Sequence, residues 1–260
     1  MAVLYANSNG IYIRDNPAGN IIRAISGGDL MYETTSIAPV TKALNGTNYT
    51  WINVTSFATT PPIATVIGWV ARENTTSVPT STPQKTSVIA ANRVLLQNEM
   101  LTNARYIYNY LRSLSSSIQW SKNAIYAMFG NMEAESTINP GRWENSTIAA
   151  SSGFGLTQWY PSTKYTDWAG GADQNIDKQL ERIKFEVAGG YPQWKASLHS
   201  PEISFSEFTK STKLVDALAE YFHRCYERPT SITTDTINTR KNNAIKWGTL
   251  LTICQAPYSP

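Results

Sequence analysis

Asn131-Met132-Glu133-Ala134-Glu135-Ser136-Thr137-Ile138-Asn139-Pro140 is the stretch that organises this 260-residue chain. Ile125, Met128, Phe129 and Met132 lead into it with helical spacing, and Ser121 is a candidate N-cap. A helix with one apolar side therefore runs into the stretch. Asn139-Pro140 stops it, because the residue before a proline is pushed out of helical geometry. Two carboxylates, Glu133 and Glu135, are left near the helix end, a position suited to the lip of a cleft. At 100° per residue, Glu135 falls about 20° from Met128 and Glu133 about 40° from Phe129. Both flank the apolar stripe, so geometry leaves the choice between them open.

Helical periodicity extends on either side. Met100, Ala104, Ile107, Tyr108 and Leu111 form one stripe. Asp173 is a candidate cap for a helix with Ile176, Leu180, Ile183 and Val187 inward, ended by Gly189-Gly190. Leu214, Leu218, Tyr221, Phe222 and Cys225 mark another, closed by Pro229, and residues 237–251 read weakly as a fifth. Gly153-Phe154-Gly155-Leu156-Thr157-Gln158-Trp159 breaks the pattern and reads as a small hairpin.

Upstream the pattern is β. Ile11-Tyr12-Ile13-Arg14, Ile21-Ile22-Arg23-Ala24-Ile25, Leu30-Met31-Tyr32-Glu33-Thr34, Tyr49-Thr50-Trp51-Ile52-Asn53-Val54 and Val66-Ile67-Gly68-Trp69-Val70 are short runs separated by Gly, Pro and Asn turns. Such a set predicts a small barrel. Residues 74–87 carry Ser, Thr and Pro without apolar periodicity, the composition of a linker. The expected layout is α+β in two domains: a barrel at 1–73, a linker at 74–90 and an α-rich domain at 91–260 with a small hairpin.

Composition narrows the function classes. The formal net charge is only +3, and no Lys/Arg cluster supports nucleic-acid binding. No run reaches membrane-spanning length, and no leader peptide is evident at the start. Two cysteines, Cys225 and Cys254, allow one disulfide, although a buried Cys225 thiol is the simpler expectation. His199 and His223 stand in no ligand-like motif, so neither metal nor organic cofactor is expected. Cys225 and His223 are two apart on one helix and face apart, which argues against a Cys–His peptidase.

Residues 98–229 resemble the lysozyme domains carried in phage tails, the tail-knob type. Ala104–Leu111, Gly130-Asn131-Met132, Glu135-Ser136-Thr137-Ile138-Asn139-Pro140-Gly141, Gly153-Phe154-Gly155-Leu156, Gln158-Trp159 and Tyr226-Glu227-Arg228-Pro229 carry the likeness. The resemblance implies a phage enzyme that hydrolyses the β-1,4 bond between N-acetylmuramic acid and N-acetylglucosamine in bacterial peptidoglycan. It selects Glu135, directly before Ser-Thr-Ile-Asn-Pro, as the general acid. Gln158 matches the cleft-lining Gln of the wider goose-lysozyme and lytic-transglycosylase group. Trp159 and Trp143 are candidates to stack on sugar faces. Tyr226 aligns with a late helical Tyr of that group, an expected hydrogen-bond partner for Glu135. Glu227 is a candidate second carboxylate.

The alternatives are a lytic transglycosylase or an endolysin of the same architecture, or an inert tail or wall-binding component. The implied partners are peptidoglycan and other phage tail proteins. The implied location is the virion, or release at host lysis, with action on the wall. Residues 3–73 resemble bacterial SH3-like domains through Ile11–Ile22, Trp51-Ile52-Asn53-Val54 and Gly68-Trp69-Val70, which implies binding to the peptide part of peptidoglycan.

Overall fold

The computed structural model describes residues 2–57 and 65–254. Met1, residues 58–64 and residues 255–260, which the expected domains included, lie outside the described residues. The chain forms two compact units, and the architecture is α+β. No helix among the described residues is long and apolar enough to cross a membrane.

The first unit is an antiparallel sheet of eight strands. These are β1 (Val3–Ala6), β2 (Ile11–Arg14), β3 (Ile21–Ile25), β4 (Leu30–Glu33), β5 (Val40–Leu44), β6 (Thr47–Phe57), β7 (Thr65–Ala71) and β8 (Thr75–Ser77). Their order is β3-β2-β7-β6-β4-β1-β8, with β5 paired to β6. Alternation works as expected in β2, where Ile11 and Ile13 are buried and Tyr12 is exposed. Leu4, Ala6, Ile25, Met31, Ile52, Val54 and Val70 complete that core. In β3, by contrast, Ile21 and Ile22 point outward. The expected linker begins too early, because Thr75–Ser77 pairs with β1 as β8. Its β-branched threonines suit a strand edge as well as a linker, and composition cannot separate the two.

The second unit is helical. It contains most of α1 (Gln97–Ser113), then α2 (Lys122–Ser136), α3 (Thr163–Ala169), α4 (Ile176–Val187), α5 (Phe205–Lys210) and α6 (Val215–Phe222), and most of α7 (Thr234–Cys254). Ser121 caps α2, its Oγ accepting from Ala124 N at 3.0 Å. Every residue from Ala124 to Met132 is buried, so α2 is a central helix rather than an amphipathic surface one. Gly130 is where α7 crosses it: a Cβ there would collide with the Arg240 carbonyl and lie 2.7 Å from the Ala244 Cβ. Gly130→Ala is expected to cost about 2 kcal/mol by overpacking, read as a lower urea midpoint at unchanged slope.

Several boundaries differ from the sequence expectation. Asn175, not Asp173, caps α4, and Asp173 Oδ1 accepts from Asn175 N at 2.8 Å. Leu214 is 74% exposed at the N-cap of α6, four positions before the first buried residue, Leu218. The 151–159 segment is a tight loop, not a regular hairpin, held by the single bridges Trp143 to Phe154 and Phe154 to Trp159. The six- and seven-residue helices α5 and α3 are too short for periodicity to reveal. After Phe222 the helix widens into a π-turn, His223–Glu227, a feature frequent at functional sites.

Candidate active site

The end of α2 is bent sharply away from helical geometry. Thr137 and Ile138 lie at φ +59° and +53°, a left-handed conformation that costs β-branched residues energy. Buried amides hold the turn in place. Asn139 Nδ2 donates to the carbonyls of Ala91 and Arg93 at 2.6 and 2.7 Å, and its Oδ1 accepts from Gly141 N at 2.9 Å. Asn103 Nδ2 donates to Ile138 O at 2.9 Å. Ser136 Oγ donates to Leu156 O at 2.7 Å, tying the helix end to the Gly-rich loop. Gln179 binds the same loop, accepting from Leu156 N at 2.9 Å and donating to Pro140 O at 2.7 Å. Gly155, at φ +79°, sits so close to Gln179 that a Cβ would lie 2.6 Å from its Oε1. The Asn-Pro and Gly-x-Gly signals thus mark backbone turns that aim the preceding carboxylate.

That carboxylate is Glu135. It lines a cleft of about 300 Å³ together with Arg142, Glu144, Asn145, Gly153, Gln158 and Tyr160. Arg240 of α7 is ion-paired to it through Nη2 and Oε1. Glu133 points elsewhere: Lys246 Nζ and Trp247 Nε1 contact its two oxygens at 2.5 and 2.8 Å. Gln158 also lines the cleft, at φ +48°. Its Nε2 donates to the carbonyls of Arg142 and Gly155, both at 3.0 Å. Its Oε1 accepts nothing from the described residues, so the amide presents an acceptor.

The aromatic candidates fall elsewhere. Trp159 and Tyr226 are 2% and 1% exposed, so neither ring offers a face to a ligand. Both are tied to a buried carboxylate, Glu186 of α4: the indole N–H donates at 3.1 Å and the Tyr226 hydroxyl at 2.5 Å. The Tyr226–Glu135 hydrogen bond is therefore replaced by a Tyr226–Glu186 bond. Arg182 completes the cluster, its Nε donating to Glu186 at 2.7 Å. Burial pushes the Glu186 carboxyl up, and these three donors pull it back. Trp143 is buried against Phe154 at 4.6 Å between ring centroids. The exposed aromatic in the cleft is Tyr160, which sequence reasoning passed over.

Glu227, at the end of the π-turn, does not line the cleft. Its Oε1 is buried without a hydrogen-bond partner among the described residues. Burial raises its carboxyl well above the usual range, and the negative charge of Glu135 raises it further. Cys225 is a buried thiol pushed up to about 11, the opposite of an activated nucleophile. Among the described residues no cluster of three or more His, Cys, Asp or Glu could hold a metal ion.

A helical unit whose central helix ends in a carboxylate over a Gly-rich loop belongs with the lysozyme-like proteins. The model of the phage tail lysozyme family matches residues 102–251, more than half of the chain, and the chain belongs to that family. It is 47% identical over 142 residues to morphogenesis protein 1 of Bacillus phage B103. That match takes in 53% of this chain and spans 37% of the length of that relative.

Proposed function

We propose that the helical unit hydrolyses the β-1,4 bond between N-acetylmuramic acid and N-acetylglucosamine, with Glu135 as general acid. The observation that carries this reading is the split between the two neighbouring glutamates. Glu133 is engaged by Lys246 and Trp247, whereas Glu135 opens onto the cleft. The family supports a peptidoglycan-degrading role in a phage tail. Glu135 protonates the leaving oxygen as the glycosidic bond breaks. Before that it must carry a proton, so the ion pair with Arg240 opens when substrate enters. Gln158 accepts a hydrogen bond from a sugar hydroxyl or an N-acetyl N–H. Tyr160 supplies the stacking face that Trp159 and Trp143 cannot.

The test is mass spectrometry of soluble products from purified peptidoglycan, digested with wild type and Glu135→Gln in parallel. Fragments ending in reducible N-acetylmuramic acid, absent from the Glu135→Gln digest, are expected. Anhydro-sugar ends would make the chain a lytic transglycosylase, and no glycan fragments from either would leave a non-catalytic tail component.

The β unit fits an SH3-like wall-binding role, and the whole chain fits a particle-borne lysin acting during genome entry. Full-length Glu135→Gln is expected to sediment with purified walls, and the same variant lacking residues 1–81 to remain in the supernatant. Equal sedimentation of both would remove the binding role from this unit.

A further inference from the structure

Among the described residues two carboxylates line the cleft, Glu135 and Glu144. The second lies on the turn Glu144–Ser146, just after the Asn-Pro-Gly bend. Two backbone bonds and one side-chain bond fasten it to the Gly-rich loop. Glu144 N donates to Gly153 O at 3.0 Å, Gly155 N donates to Arg142 O at 2.9 Å, and Gly153 N donates to Glu144 Oε2 at 3.0 Å. The other oxygen, Oε1, accepts no hydrogen bond from the described residues, and the residue is exposed. One lobe of the carboxylate is thus fixed by backbone and the other presented to the cleft.

The remaining acidic groups near Glu135 are occupied differently. Glu133 is paired with Lys246, Glu186 is enclosed by Arg182, Trp159 and Tyr226, and Glu227 lies outside the cleft lining with a buried oxygen. A glycosidase of the two-carboxylate type needs a second group on the far side of the scissile bond from the acid. Among the described residues Glu144 is the carboxylate that shares the cleft with Glu135.

We propose that Glu144 is a second catalytic residue, the base that takes the proton from the water attacking the anomeric carbon. This rests on the proposed glycan hydrolysis at Glu135. The bond between the anomeric carbon and the leaving oxygen breaks, and its electron pair stays on the oxygen, which takes the proton of Glu135. The water oxygen bonds to the anomeric carbon and gives one proton to Glu144. Transfer of that proton to Glu135 through solvent restores the starting state, so atoms and charge balance with water alone as co-reactant. Gly153 matters here because its N–H fixes the direction of the carboxylate.

The experiment uses the full chain, with Glu144→Gln to keep an acceptor for Gly153 N and Glu144→Ala to open space. Turnover and KM are measured on soluble glycan strands with and without sodium azide, and products are identified by mass spectrometry. Both variants are expected to unfold at the wild-type midpoint, with kcat lowered about 100- to 10,000-fold and KM nearly unchanged. Azide is expected to restore turnover in Glu144→Ala and to yield a muramyl azide, since an anionic nucleophile needs no base. Glu135→Gln should gain nothing from azide, because it lacks the acid.

A folded Glu144→Gln within threefold of wild-type kcat would overturn the proposal, as would a loss in Glu144→Ala that azide does not repair. Anhydro products from wild type would overturn it while leaving Glu135 as the acid. No glycan product from wild type would remove the proposed hydrolysis itself.

Discussion

Glu135→Gln is expected to lower kcat by about 100- to 10,000-fold, the range for loss of a positioned general acid, with KM and the unfolding midpoint close to wild type. The amide is isosteric, keeps an acceptor for Arg240 and removes only the transferable proton. The ion pair it weakens is partly exposed, with side-chain accessibilities of 24% for Glu135 and 11% for Arg240. Its loss costs about 1 kcal/mol. Glu133→Gln is the informative control. It weakens the pair with Lys246, which is only 4% exposed, so its cost falls on folding rather than on turnover. Initial rates on soluble glycan strands, with urea denaturation of each variant, separate the two effects. A folded Glu135→Gln that keeps more than a tenth of the wild-type kcat would end the assignment.

The contrast between the two glutamates also marks how far sequence can reach. Helical phase put both beside the apolar stripe and could not choose, because the choice is made by α7, more than a hundred residues downstream. Lys246 and Trp247 take one carboxylate and Arg240 meets the other. None of these three carries a local signal, and α7 itself was legible only weakly. Helices α1 and α4 were readable because one buried face imposes a period on each, and the start of α2 was readable from its N-cap. Strands β5 and β8 were missed because they are almost wholly exposed and so carry no apolar alternation.

Trp159 and Tyr226 show a different limit. An aromatic near a carboxylate motif suits a sugar face and a core equally well. What decides is Glu186, an apparently ordinary acidic residue of α4 that turns inward to accept from both. A buried carboxylate with several donors ties together α4, the π-turn and the Gly-rich loop, so Tyr226, which aligns with the late Tyr of the wider transglycosylase group, is bonded here to the scaffold. The group that faces the cleft instead, Tyr160, follows Trp159 directly in sequence, and only the tight loop turns one ring in and the other out. Glu144 could have been suspected as an acidic residue just beyond the Asn-Pro-Gly bend, but it needed the Gly153 contact to become a candidate.

Acid is expected to destabilise the helical unit in large part through one side chain, His223. It is 1% exposed at the start of the π-turn, and both ring nitrogens lack partners among the described residues. Burial, reinforced by the positive charges of Arg240 and Arg224 against the opposing Glu220, pushes the imidazole from 6.5 down to about 4. The folded state therefore binds fewer protons than the unfolded chain between those values. Its stability is intact above pH 6.5 and is lost as pH falls toward 4, by roughly 2 to 3 kcal/mol at pH 4.5. Glu227 acts in the opposite sense. Its carboxyl is raised in the folded state, so its contribution falls as pH rises above the ordinary glutamate value. The wild-type curve alone cannot separate them, whereas comparison with His223→Leu can. Urea midpoints at pH 7.0 and 4.5 should show the Leu variant losing roughly 2 to 3 kcal/mol less than wild type over that interval, because an apolar side chain of similar size has no proton to gain. Parallel losses in the two proteins would mean that the imidazole is not what acid attacks. Because the charge of Arg240 bears on His223 and Arg240 is ion-paired to Glu135, turnover should fall with stability in wild type but less steeply in His223→Leu.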